Sequence, residues 1–375
     1  MAMNIIFVIS SMAGGGAERV AASLCNYWVS EGHSVTLVVT ASERSESRYP
    51  LDSRIRFESL GDRVGGMRKT AFNKLRRLFA LRLAIREYRP DVVISFMYDV
   101  NVATIIATIG MRMALVVSER IHPPMHQSAF WGGVIRKVFY SRASSVVVLT
   151  GVTAEWMQAL LPRNVVQVIS NPVVYPLPST DSAVLSPDQY VTPGRRLLLT
   201  CARLEEQKNL SLLLQVFAET VIVCPNWDLV ILGDGSERAA LEDLRMCLGL
   251  EERVWLPGWA SNLSDWYERA DLFVLSSNYE GFPNALVEAM SHGVPAVSID
   301  CPTGPADIIR DGVDGLLISL ESGSEGLRDG LLCLMTQDSL RDDMAKRVVD
   351  VRKRFSMQRI ALMWDEVLES AARER

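Results

Sequence analysis

The chain is poor in the residues that build metal and disulfide sites. Its 375 residues include six cysteines, none spaced as Cys-x-x-Cys, and four histidines. This excludes a small disulfide scaffold and argues against a zinc or His-rich centre; such cysteine usage suits a reducing cytoplasm. No Asp-x-Asp triplet is present either. Long apolar runs are missing as well. The longest, Val102 to Met111, holds Thr104 and Thr108 and stops at Arg112, whereas a membrane span needs about 20 apolar residues. The start, MAMNIIFVISS, has no basic stretch ahead of its apolar residues, so no signal peptide is expected. With 49% hydrophobic and 22% charged residues, the composition also excludes disorder and coiled coil.

What is present is an uneven charge. The formal net charge is −5, yet residues 1–180 carry 20 Lys+Arg against 12 Asp+Glu, a balance of +8 that leaves −13 for the remainder. A basic first half points to an anionic surface or substrate.

Hydrophobic patterning predicts an α/β chain with two doubly wound, Rossmann-like domains. Apolar runs at Asn4–Ser11, Ser34–Thr40, Ile55–Leu60, Val92–Phe96, Ala114–Ser118, Val146–Leu149 and Val165–Ser170 alternate with helical segments, the pattern of a parallel sheet covered on both faces. The stretch 171–194 holds five prolines and reads as a linker between domains 1–170 and 195–354. Strands at Leu197–Cys201, Leu229–Leu232, Val254–Leu256, Leu272–Ser276 and Ala296–Ile299 then restart the alternation. Ligands of such sheets bind beyond the carboxyl ends of the strands, here in a cleft between facing domains.

Several motifs fall at those ends. Ser11-Met-Ala-Gly-Gly-Gly-Ala-Glu-Arg19 offers a glycine turn into a helix, suited to a phosphate or to a tight turn alone. Arg19 stands where a dinucleotide fingerprint needs its third glycine, and no Gly-Lys-Ser/Thr follows. Arg203 and Lys208 leave the first strand of the second domain and suit a diphosphate, unless they only pair with Glu205 and Glu206. The segment 278–290, NYEGFPNALVEAM, places Glu280 in a loop and Glu288 in a helix that begins at Pro283 or Asn284 and ends at Gly293. Carboxylates there accept from vicinal hydroxyls, and the amides between them suit a phosphate. Pro257, in Leu-Pro-Gly-Trp, borders the same edge. In the first domain Glu119 and His122, in Ser-Glu-Arg-Ile-His-Pro-Pro, follow a strand as acceptor-side candidates, though a lone histidine is often structural.

Residues 63–89 carry nine Lys/Arg against one Glu, with apolar residues at helical spacing. Such a helix lies on an anionic membrane surface or packs on its own sheet. Lys69, Lys74, Arg76, Arg77 and Arg82 are its docking candidates. No aromatic platform supports nucleic-acid binding.

The glycine turn, Arg203/Lys208 and Glu280-x(7)-Glu288, in this order, resemble glycosyltransferase family 4 across essentially the whole chain. Ser-Glu-Arg and Asp-Cys-Pro-Thr-Gly-Pro are similar to segments of bacterial hexosyl- and N-acetylhexosaminyl-transferases acting on polyprenyl-diphosphate-linked glycans. The resemblance implies the GT-B fold, a nucleotide-sugar donor (most often UDP-linked), retained anomeric configuration, and neither cofactor nor metal. It implies that Arg203, Lys208 and Glu280 carry catalysis, the first two on the donor diphosphate with help from Gly15 and Gly16. Asn284, Ala285, Leu286 and Pro257 would line the donor, and Glu288 would hold its ribose. It further implies a last helix, from about Phe355, crossing back to the first domain, and a peripheral place on the cytoplasmic face of the inner membrane. A nucleotide-sugar epimerase or a non-catalytic sugar-nucleotide binder are the alternatives on such a fold.

Overall fold

The computed structural model describes residues 2–40, 47–64, 71–125, 129–178 and 184–373. The chain divides into two compact units, residues 1–172 with 357–375, and residues 173–356. Lys69 lies outside the described residues.

The first unit is built on a seven-stranded parallel sheet in the order β3-β2-β1-β4-β5-β6-β7. Its strands are β1 (Asn4–Ile9), β2 (Ser34–Val39), β3 (Arg56–Ser59), β4 (Val92–Phe96), β5 (Ala114–Ser118), β6 (Ser145–Val148) and β7 (Val165–Val168). In β1, Ile5, Phe7 and Ile9 join one core while Ile6 and Val8 join the other. Both faces of the strand are therefore apolar, which a period of two requires of a sheet sandwiched between helices. Strand order reverses between the neighbouring strands β1 and β4, so their carboxyl ends open at a switch point.

The second unit holds a six-stranded parallel sheet in the order β10-β9-β8-β11-β12-β13. Its strands are β8 (Arg196–Cys201), β9 (Trp227–Leu232), β10 (Val254–Gly258), β11 (Leu272–Leu275), β12 (Ala296–Asp300) and β13 (Gly315–Ser319). The sequence pattern missed β13, a short, half-exposed edge strand whose alternation is weak. Its Gly315 has no room for a side chain: a Cβ would stand 2.6 Å from the Ala296 carbonyl oxygen.

The proline-rich stretch differs from a free linker. From Val173 onward it belongs to the second unit. Leu177 and Val191 are buried, and Leu185 exchanges backbone hydrogen bonds with the Asn262 side chain at 3.0 and 2.9 Å. Apolar residues between the prolines give it surface to bury, which proline counting ignores. The helical pattern after Leu340 resolves into three helices, Asp338–Val348, Val351–Arg354 and Met357–Arg373. The last belongs to the first unit. Trp364 is fully buried there against Trp28 and Phe96, and Trp28 donates to Asp365 at 2.9 Å.

Trp364→Ala should therefore destabilise the first unit by about 3–5 kcal/mol, the usual cost of emptying a buried aromatic site. Urea unfolding followed by far-UV circular dichroism measures it. A change within experimental error would mean that the helix is a dispensable appendage.

Candidate active site

In the second unit the motif residues gather at the carboxyl edge of the sheet. Arg203 follows β8 and Glu280 follows β11. The loops after β8 and β9 lie against one another. Gly233 (φ 129°) and Gly235 allow this, because a Cβ would stand 1.8 Å from the Ala202 oxygen or 2.4 Å from the Leu204 oxygen. Glu280 is the hub of the edge. Lys208 Nζ donates to its Oε1 at 2.6 Å, and Ser277 Oγ donates to the same oxygen at 2.7 Å. Thr303, in the Cys-Pro-Thr-Gly-Pro loop after β12, donates to the Glu280 carbonyl. Both ion-pair partners are largely withdrawn from water, with side chains 15% and 7% exposed. Such a pair is worth keeping only where hydrogen bonds complete it, and removing one member is costly.

Arg203 behaves differently. Its side chain is 68% exposed and pairs with Glu205 at 2.9 Å, a solvated surface ion pair in its resting position. An exposed pair of this kind contributes little and opens readily to a stronger anion. The helix Asn284–Ser291 starts with Pro283 as N-cap and no side-chain cap. Glu288 is buried within it and accepts from Tyr267 at 3.2 Å. Ala285 and Leu286 stand in its first turn. Gly304 (φ 100°) crosses Pro283 closely: a Cβ there would meet Pro283 Cδ at 2.6 Å. The proline-glycine loop thus fixes the head of this helix. Pro257 sits near the end of β10. The Cys301 thiol is pushed up to about 12 by burial and by Glu280 beside it, so it is no nucleophile at neutral pH.

Ser277, Tyr267 and Thr303 escaped sequence reasoning. Ser277 is the nearest to visible, three residues before Glu280; the other two meet the motif only through tertiary folding.

In the first unit, the glycine turn leads into the helix Gly16–Ser30. The Tyr49 hydroxyl closes it, accepting from the Gly15 N–H and donating to the Gly15 carbonyl, both at 2.9 Å. Glu119 is buried and accepts from Arg136 Nε at 2.6 Å and Tyr140 at 2.7 Å. His122 is buried, and its Nδ1 shares a 2.9 Å hydrogen bond with Thr153.

The helix Ala71–Tyr88 has two apolar faces. Ala80, Leu81, Ala84 and Ile85 pack into the core, while Phe72, Leu75, Phe79 and Leu83 stand exposed. The exposed row borders an open groove of about 960 Å³ shared with Arg63, Arg76 and Ile106. Lys74 and Arg76 are exposed beside it. The other two cations are engaged: Arg82 donates to the Ala107 and Ile109 carbonyls at 2.6 and 2.8 Å, and Arg77 to Thr40 at 3.4 Å. Arg82 thereby closes the end of the helix Tyr98–Thr108, where orphan carbonyls attract cations. Among the described residues no helix is long and apolar enough to cross a membrane.

Two parallel-sheet α/β units with this edge define a GT-B glycosyltransferase fold. Solved structures agree. A sucrose-phosphate synthase from Thermosynechococcus elongatus matches with TM-score 0.82 at 16% identity, covering 99% of this chain and 100% of that one. Anabaena HepE, solved in complex with UDP, matches with TM-score 0.77 at 19% identity, covering 98% and 100%. Residues 14–174 match the domain model "Glycosyltransferase Family 4", and residues 195–337 match "Glycosyl transferases group 1". The chain belongs to the family 4 glycosyltransferases. A Campylobacter jejuni α-1,4-N-acetyl-D-galactosaminyltransferase, named for an undecaprenol-diphosphate-linked glycan acceptor, is 28% identical over 96% of this chain and 97% of its own length. The amylovoran biosynthesis glycosyltransferase AmsD of Erwinia amylovora is 27% identical over 97% and 99%.

Burial lowers the His122 pKa below its usual 6.5. The unfolded imidazole takes up a proton more readily than the folded one. Its contribution to stability is therefore full above about pH 6.5 and is lost as pH falls through the lower folded value. His122→Gln should flatten the acid limb of a stability-versus-pH profile measured by urea unfolding. Equal slopes for the variant and the parent would remove His122 from the groups that set acid stability.

Proposed function

We propose that this glycosyltransferase moves a hexose or N-acetylhexosamine from a UDP-sugar to a polyprenyl-diphosphate-linked glycan. Transfer occurs with retention of anomeric configuration and without a metal, on the cytoplasmic face of the inner membrane. The observation that carries the reading is the buried Lys208–Glu280–Ser277 cluster beside the head of the helix Asn284–Ser291. The acceptor class draws on the Campylobacter relative's name, and the nucleotide on the UDP in the HepE complex.

In this reading Lys208 and Arg203 hold the donor diphosphate, Arg203 leaving Glu205 to do so. In the first unit Gly15 and Gly16 offer backbone amides suited to a phosphate, the Gly15 amide once Tyr49 releases it. Pro257, Asn284, Ala285 and Leu286 line the donor. Glu288 binds ribose hydroxyls, and Glu280 accepts from the hydroxyls of the donor sugar. The bond between the anomeric carbon and the β-phosphate oxygen breaks as the acceptor oxygen bonds to the same face of that carbon. The acceptor proton passes to the departing phosphate oxygen. Charge then builds on the diphosphate, where the fixed Lys208, the helix amides and the re-aimed Arg203 meet it. They take the part a metal plays elsewhere. Glu119 and His122 are assigned to the acceptor side, Glu119 through the Arg136 and Tyr140 that it holds in place.

Arg203→Ala and Lys208→Ala should each lower turnover by about 10²–10³. The assay is transfer from UDP-sugars to a synthetic polyprenyl-diphosphate glycan, with product linkage and anomeric configuration read by NMR. Activity should persist in EDTA. Near-normal turnover in both variants, or an inverted product, overturns the proposal.

The exposed row of the helix Ala71–Tyr88 would rest in the headgroup boundary, with Lys74 and Arg76 reaching lipid phosphates. Each basic residue near such a surface is worth about 1 kcal/mol. Replacing Lys74 and Arg76 by Gln, and Phe72 and Phe79 by Ser, should weaken sedimentation with anionic vesicles while leaving UDP-sugar binding unchanged. Equal vesicle binding at low salt would make this face an ordinary protein surface.

A further inference from the structure

A second pocket, of about 210 Å³, lies in the first unit where the carboxyl ends of β1, β4 and β5 meet. It is lined by Ser10, Met97, Asp99, Arg120 and Pro123, among others. Arg120 is unusual. It is 7% exposed, yet it makes no ion pair among the described residues. Its guanidinium meets neutral partners among the described residues: Ser118 Oγ at 3.3 Å, the Asn171 side-chain oxygen and the face of Phe96 at 4.1 Å. Its Nε has no hydrogen-bond partner among the described residues. Burial pushes its pKa down to about 9, so it remains cationic at neutral pH. A buried charge left uncompensated is costly to the fold. The next residue, Glu119, cannot offset it, because Arg136 already claims that carboxylate at 2.6 Å.

The same pocket takes in the first turn of the 11-residue helix Tyr98–Thr108. Its N-cap residue, Met97, supplies no side-chain acceptor for the first-turn amides. Met97 is held at φ 77° by hydrogen bonds from its N–H to Ser118 and from the Asn101 N–H to its carbonyl, at 3.1 and 2.8 Å. A non-glycine residue in this region is strained and persists only where its surroundings enforce it. The strain sets the head of the helix against the pocket that Arg120 lines.

We propose that this pocket is an oxyanion site, built to take one phosphoryl or carboxylate group of a ligand. Arg120 and the helix head supply the positive end. Asp99, exposed at the rim, keeps the pocket closed to loosely held ions and repels the anion until it is seated. The site stands without the transfer reaction; only the assignment of its anion to the acceptor substrate rests on the reading above.

The test is calorimetric titration of the full chain carrying Arg203→Ala and Lys208→Ala, so that the second unit does not compete for the probe. Inorganic phosphate and methyl glucuronide are the two probes. In this background Arg120→Gln should weaken binding at least about tenfold and Arg120→Lys should restore part of it, while Asp99→Asn should tighten it about threefold. Tighter binding of phosphate assigns the pocket to a phosphoryl group, and tighter binding of glucuronide assigns it to an acidic sugar. No binding of either probe, or binding indifferent to both Arg120 and Asp99, overturns the proposal. Because Asp99 is exposed, its variant decides the matter even if the Arg120 variants fail to fold. Turnover is not read, so loss of the transfer reading leaves this result intact.

Discussion

The ion pair between Lys208 and Glu280 is the interaction on which the second unit's edge depends. It ties the loop after β8 to the loop after β11 across a largely dry gap of 2.6 Å. Ser277 completes the same carboxylate oxygen, and Thr303 brings in the loop after β12. Three loops from three adjacent strands are thus fixed to one residue. Parallel strands make this possible, because all their carboxyl ends emerge on one side. The glycines at 233, 235 and 304 are the places where these loops approach too closely for any side chain.

Two buried arginines in the first unit, Arg136 and Arg120, show how partnering decides the role of a buried charge. Arg136 and Glu119 satisfy each other, with Tyr140 as a further donor, and together they form a closed network. Arg120, one residue away in sequence from Glu119, is equally buried but pairs with no anion among the described residues. Burial penalises both cations; only one is repaid inside the chain. That difference separates a structural pair from a site awaiting a ligand.

The basic character of the first half has a comparable split. Some of its cations hold the fold, as Arg82 does at the end of the helix Tyr98–Thr108. Others, such as Lys74 and Arg76, face solvent beside an exposed apolar row. Composition counts both kinds alike.

Local residues determined much of this protein. The apolar alternation marked 12 of the 13 strands among the described residues, because a buried parallel strand must be apolar on both faces whatever surrounds it. The spacing of Glu280, Pro283 and Glu288 placed a loop, a helix head and a buried acid in order, since helix starts are written in local sequence. Only the tertiary structure decided which charges were free. It paired Lys208 with Glu280, left Arg203 in water, closed Glu119 on Arg136, and isolated Arg120. It also seated the proline-rich stretch in the second unit and the last helix in the first. These outcomes join residues from about 17 to 340 positions apart in the chain, and pairing energy depends on distance and burial, which no local pattern records.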